Sequence, residues 1–153
     1  MKYFLKLSTY MLVLALLASC NSSGSDEPSP LIGKAEILTS GQATLSSVSI
    51  PNGSNVTSWT GFTIQFTGDE NGGTYTTNAE ADLYQTAVWK KSGTWAFGDE
   101  EGAVIIRDGN TAEPITVTKL SETSVEIEFA MTTALSSGRV DVVEGPWVFT
   151  FNF

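Results

Sequence analysis

Histidine is absent from this chain, and cysteine occurs once, at Cys20. Without an imidazole there is no histidine base near neutral pH and no His-ligated zinc. A lone cysteine excludes an intrachain disulfide. Basic side chains are scarce, 8 against 17 acidic, for a formal charge of −9 at pH 7. A nucleic-acid partner needs clustered Lys and Arg for its phosphates, so none is expected. No apolar stretch qualifies as a spanning helix. The run Met11–Ala18 (MLVLALLA) falls short of the ~20 residues a helix needs to cross a bilayer. With 153 residues there is length for one domain.

What is present begins with an address. Lys2 and Lys6 precede the apolar run, and Leu17-Ala18-Ser19-Cys20 closes it. A basic start, a short apolar core and small residues before a cleavage point are the layout of a secretory signal peptide over residues 1–19. The four closing residues resemble a bacterial lipobox. Cys20 is therefore expected to take a diacylglycerol and become the first residue of the mature chain. Loss of Lys2 and Lys6 would leave six basic against 17 acidic side chains, a charge of −11. Such a body is repelled by anionic headgroups, so acyl chains, at ~0.8 kcal/mol per buried CH₂, must supply the membrane anchor.

Residues 20–33 read as a flexible acidic tether. The stretch Asn21–Pro30 (NSSGSDEPSP) is polar, holds Gly and Pro, and has nothing to bury. Asp26-Glu27, close behind the cysteine, resembles a signal for surface export of lipoproteins in Bacteroidota. An ordinary solvated pair is the competing reading.

Residues 34–153 carry the signature of one all-β domain. Val125, Ile127, Phe129 and Met131 alternate with Glu126, Glu128 and Ala130. Phe62–Thr67 and Trp147–Phe153 repeat the pattern; Thr94–Phe97 and Ile115–Thr118 are shorter versions. Period two places one face on a core and the other in water. Leu45, Val48 and Ile50 fall out of step, and a bulge near Ser46-Ser47 would restore the phase. Turn chemistry separates the runs at Pro51-Asn52-Gly53, Gly68–Gly73, Gly98–Gly102 and Asp108-Gly109-Asn110. Eight or nine strands follow, joined as an antiparallel meander that forms an up-and-down barrel or a β-sandwich. The one helical candidate is Asn78–Tyr84. The inward set is bulky, so the interior should be largely filled, with an opening at one end.

Read in order, Gly61–Thr67, Gly73–Thr77, Val88-Trp89, Ser92–Phe97, Ile106–Gly109, Val125–Phe129 and the aromatic last strand resemble the lipocalin-like (calycin-like) lipoproteins of Bacteroidota. The resemblance covers most of residues 36–153 and implies a fold more than a function.

Few groups suggest chemistry. The acidic loops Asp69-Glu70-Asn71, Asp99-Glu100-Glu101 and Asp108-Gly109-Asn110 offer oxygen ligands, but none has EF-hand spacing. They read as solvated turns, and no metal or other cofactor is expected. Serine has no histidine to activate it, there is no Gly-x-Ser-x-Gly elbow, and Lys90-Lys91 read as a solvated pair. Nothing sets two carboxylates across a cleft as a glycosidase needs. No catalytic residue is assigned, and the protein is not expected to be an enzyme. Trp59, Tyr84 and Trp89 fall outside the alternation. They are the candidate ligand contacts, since an aromatic ring at a barrel mouth stacks on a sugar or lines an apolar pocket. Capping a barrel end is the competing role. The alternate aromatics ending in Phe153 also resemble the last strand of an outer-membrane barrel. Several strands here are shorter than the ~9–11 residues that spanning requires, and their outer faces are threonine-rich.

The expectation is thus a lipid-anchored outer-membrane or cell-surface barrel, exposed outward or to the periplasm. It would be a binding module for a small apolar molecule or a glycan. The alternative is an accessory subunit that docks on another envelope protein without a small ligand.

Overall fold

A computed structural model describes residues 29–49, 59–80, 83–131 and 145–153, with the backbone alone for 83 and 84. Cys20, Asp26 and Glu27 lie outside the described residues. A helix, α1 (Pro30–Leu38), leads into β1 (Gln42–Ser49), β2 (Thr63–Asp69) and β3 (Gly72–Thr77). A second helix, α2 (Leu83–Val88), follows. Then come β4 (Ser92–Phe97), β5 (Val104–Arg107), β6 (Ile115–Ser121), β7 (Ser124–Met131) and β8 (Gly145–Asn152). Each strand pairs antiparallel with the next, and β8 returns to β1, so the eight strands close a barrel. Closure removes the exposed edges that an open meander would present.

The alternation sets the register. Val125 faces Phe151, Ile127 faces Phe149 and Phe129 faces Trp147 across β7 and β8, and all six are buried. Glu126 and Glu128 point outward beside Thr150 and Val148. The phase break in β1 is a bulge. Leu45 pairs with Phe151 and Ser47 with Thr150, leaving Ser46 as the extra residue, so Val48 turns inward again opposite Phe149.

Aromatic rings fill the interior. Phe149 lies nearly parallel to Phe129, Trp147 and Phe151, with centroids 5.7, 5.8 and 5.9 Å away. Trp59 and Trp89 meet the same ring edge-on at 5.0 and 6.0 Å. These separations are ordinary for interacting aromatic pairs.

The two helices sit at opposite ends. Ser29 caps α1, its hydroxyl accepting from the Leu31 N–H at 3.3 Å, and Pro30 occupies the first turn, where a missing N–H costs nothing. Ala35 and Leu38 are buried, and Lys34 donates to the Glu101 carbonyl, at the end where β4 passes to β5. Residues 30–33, expected to belong to the tether, thus form the first part of α1. The other helix is also displaced from expectation, at 83–88 rather than 78–84. Asn78 holds the backbone ahead of β2 instead: its Oδ1 accepts from the Thr63 N–H at 2.7 Å and its Nδ2 donates to the Gly61 carbonyl at 2.8 Å.

Candidate functional site

The end carrying α2 is where polar chemistry meets the aromatic interior. On β5, Ile105 is buried in the core and Arg107 is the next inward position, paired across the sheet with Trp95. Arg107 therefore enters the barrel from its mouth. Its guanidinium carbon lies 4.6 Å from the Trp89 ring centroid and 5.0 Å from that of Phe129, within cation–π range. Its Nη1 donates to the Val88 carbonyl at 2.7 Å, a bond that satisfies the last carbonyl of α2. Burial lowers the Arg107 pKa from arginine's ordinary value, while Tyr75, Asp108 and Glu113 oppose that shift. The guanidinium remains charged.

Asp108 follows and leaves the strand in a left-handed conformation, φ 54°. Aspartate tolerates that region better than most residues, and its side chain here secures it. Oδ1 accepts from the Thr94 N–H at 2.9 Å. Oδ2 accepts from the Tyr75 hydroxyl at 3.1 Å and from Lys90 Nζ at 2.9 Å. Burial pushes the Asp108 carboxyl up, but these bonds, that of Lys90 foremost, outweigh it and hold the pKa below the usual carboxylate value. Burial raises the Tyr75 pKa well above that of a free phenol, and the Asp108 charge adds to the rise, so the hydroxyl stays protonated and donates.

Gly93 lets this cluster close. It pairs with Tyr75, and a Cβ built on it would stand 2.6 Å from the tyrosine ring and 2.1 Å from Asp108 Oδ1. The glycine of the Gly93-Thr94-Trp95 motif is therefore a matter of space. Trp95 beside it is buried, and its indole N–H donates to the Thr67 carbonyl at 3.1 Å.

Between α2, the β5–β6 connection and the end of β7 lies a cavity of about 300 Å³. Lys90, Arg107, Asp108, Asn110 and Glu113 supply its polar wall, with Val88 and Met131 beside them. Glu113 is only 8 % exposed and accepts from Asn110 Nδ2 at 3.2 Å. The volume is at the lower bound of the ~300–1,000 Å³ usual for ligand pockets, so an occupant would be small. Mixed donors and acceptors beside apolar groups suit a polar, hydroxyl-bearing molecule.

No family model matches this chain. No curated protein and no solved structure matches it either.

The aromatic residues expected to touch a ligand are placed differently. Trp59 is 1 % exposed and Trp89 is 0 % exposed, and both belong to the ring cluster. Neither ring is exposed to solvent, a placement that fits the competing role of capping the barrel end, and Trp59 borders a smaller cavity with Leu45, Val48 and Gly61. Both escape the strand alternation because neither lies on a strand. Trp59 sits in a turn ahead of β2 and Trp89 just beyond α2, and each folds inward over the mouth end of the core. Their indole N–H groups have no hydrogen-bond acceptor among the described residues, and the faces of neighbouring rings are the weak acceptors such surroundings supply. The side chain of Tyr84, like Cys20, lies outside the described residues. Arg107 and Glu113 are not among the candidates that the sequence offers, while Asp108 and Asn110, read as a solvated turn, line the cavity. The signal for Arg107 was available: continuing the phase of the strand from Ile105 places it inside.

The acidic loops use their carboxylates locally. Asp69 Oδ1 accepts from the Asn71 N–H at 2.8 Å, and Asp99 Oδ1 accepts from the N–H groups of Ala103 and Val104 at 2.9 and 3.3 Å. These are side-chain turns that shape the loops.

Proposed function

We propose that this protein is a lipid-anchored envelope barrel, held in the outer membrane through Cys20, that binds a small glycan at its mouth. The observation that carries the glycan reading is the contrast between the two regions of the barrel. The interior is occupied by aromatic rings, while the cavity at the α2 end is walled by two cations, two carboxylates and an amide. A small apolar molecule would find little room in such an interior, whereas sugar hydroxyls both donate and accept and suit such a wall. The role is binding rather than catalysis. The lipobox-like Leu17–Cys20 and the resemblance to lipocalin-like lipoproteins support the anchor and its location.

Two measurements test the reading. Cys20→Ala should move the protein from the membrane fraction to the soluble fraction; continued membrane attachment would refute the anchor. Native mass spectrometry of the full chain, extracted from its own host in detergent, should show a reproducible added mass of sugar size that denaturation removes. A clean apo mass together with a silent glycan array would refute the glycan reading and favour an accessory subunit that docks on another envelope protein.

A further inference from the structure

We infer that the ligand of the mouth cavity carries a carboxylate and that Arg107 is the residue that recognises it, which makes a sugar acid the matching class. This rests on the glycan reading above and narrows it. A guanidinium has five N–H donors. Among the described residues Arg107 uses one of them, on the Val88 carbonyl. No described carboxylate is within ion-pair distance of it; the pairs formed are Lys90 with Asp108 and Lys119 with Glu126. The carboxylate next in sequence, Asp108, is committed to Thr94, Tyr75 and Lys90. Among the described residues the other donors of Arg107 have no protein acceptor, and since none of them is a buried nitrogen they face the cavity, where an incoming anion can take them; the charges of Asp108 and Glu113 act on the guanidinium only from beyond ion-pair distance.

Geometry adds selectivity. Trp89 and Phe129 hold the guanidinium in place through its π contacts, so its fork is preorganised for a planar, two-oxygen partner. The charge distribution agrees. Of the described basic residues, Lys34 and Lys119 are engaged elsewhere on the barrel, while Lys90, Lys91 and Arg107 gather at this end of an acidic chain. The mixed polar and apolar lining of the cavity suits hydroxyl groups, which a sugar acid has and a bare inorganic anion lacks.

The test uses the full chain, ¹⁵N-labelled and purified in detergent, titrated with glucuronate, galacturonate, glucose and galactose. Each uronate should bind roughly tenfold or more tighter than its neutral counterpart, the gain expected of a charge-assisted pair. The Nε–H resonance of Arg107, one of only two arginines with Arg139, should shift with uronate and stay put with the neutral sugar. Arg107→Lys, which keeps the charge and loses the fork, should cut the ratio of uronate to neutral-sugar affinity severalfold. Equal binding of acid and neutral sugars, an unmoved Arg107 Nε–H, or an affinity ratio unchanged in Arg107→Lys would each overturn the inference while sparing the glycan reading. Failure of all four sugars to bind would overturn both. If Arg107→Lys does not fold, the Nε–H resonance of the unaltered protein decides alone.

Discussion

Truncating Phe149 to alanine should be the most damaging single change on β8. Its ring touches five others: Phe129, Trp147 and Phe151 in parallel, and Trp59 and Trp89 edge-on. It is fully buried. Core Phe→Ala changes cost ~3–5 kcal/mol through lost transfer energy and the cavity left behind. Aromatic pairs add ~0.5–1.5 kcal/mol each where the geometry is good, though not additively. A ring with five aromatic neighbours belongs at the top of the range, about 4–5 kcal/mol. That is a large share of the ~5–15 kcal/mol a domain has in total. At roughly 3–5 °C per kcal/mol for a domain of this size, the melting temperature should fall by ~12–25 °C. Thermal and urea denaturation followed by circular dichroism and tryptophan fluorescence would measure it. Phe153→Ala, a partly exposed ring at the end of the same face, should cost ~1 kcal/mol or less. A loss below ~1.5 kcal/mol for Phe149→Ala would mean that the interior is loosely packed, and the case against an apolar ligand inside the barrel would fall with it.

Other outcomes follow from particular contacts. Ile127→Asp should place an unpaired charge in the core and unfold the domain or lower its melting temperature steeply, whereas Glu126→Gln on the outer face should leave it essentially unchanged; equal damage from both would contradict the register of β7. Gly93→Ala should cost ~1–3 kcal/mol by forcing Tyr75 and Asp108 aside, while Gly33→Ala on α1, with nothing within 4 Å of the new methyl, should stabilise by ~0.5–1 kcal/mol in the same melts. Asp108 has its folded-state pKa depressed, so its stabilising contribution is present above the unfolded pKa of ~3.9 and is lost as pH falls through the folded value. Asp108→Asn should therefore lower stability at neutral pH and flatten the acid limb below about pH 4, and an acid limb identical to that of the unaltered protein would refute its role.

Much of the barrel was legible because one face of each strand is apolar and the other is not. The alternation along Val125–Met131 and Trp147–Phe153 gave the facing, and turn residues gave the breaks. Even the bulge at Ser46 showed as the odd spacing from Leu45 to Val48. The same signal recurs between Val117 and Leu120, where the register of β6 against β7 slips at Thr118 so that Leu120 can face Val125. The elements that escaped are the short ones. α1 spans nine residues that mix Gly33, Lys34 and Glu36 with apolar groups, and its helicity comes from the Ser29 cap, Pro30 and the burial of Ala35 and Leu38 against the barrel. Tertiary docking of this kind leaves little periodicity to read.

The mouth was less legible because its chemistry depends on which of two adjacent, opposite charges is free. In sequence, Asp108 reads as part of a solvated acidic turn and Arg107 as the residue before it. The strand carries Arg107 inward, and the left-handed step at Asp108 turns its carboxylate back toward Thr94, Tyr75 and Lys90. Once the carboxylate is held there, it is not available to pair with the guanidinium, and the donors of Arg107 that no described residue accepts remain on the cavity wall. The space at Gly93 is a condition of this arrangement, since a side chain there would collide with the Asp108 oxygen that receives the Thr94 N–H. On the proposed recognition by Arg107, stability and ligand choice share one carboxylate. A change that loosens Asp108 releases an acid to compete for Arg107, so Asp108→Glu, which keeps the charge and lengthens its reach, should weaken uronate binding more than it weakens binding of the neutral sugar. Equal weakening of both would show that Asp108 supports the fold alone and has no part in keeping Arg107 open.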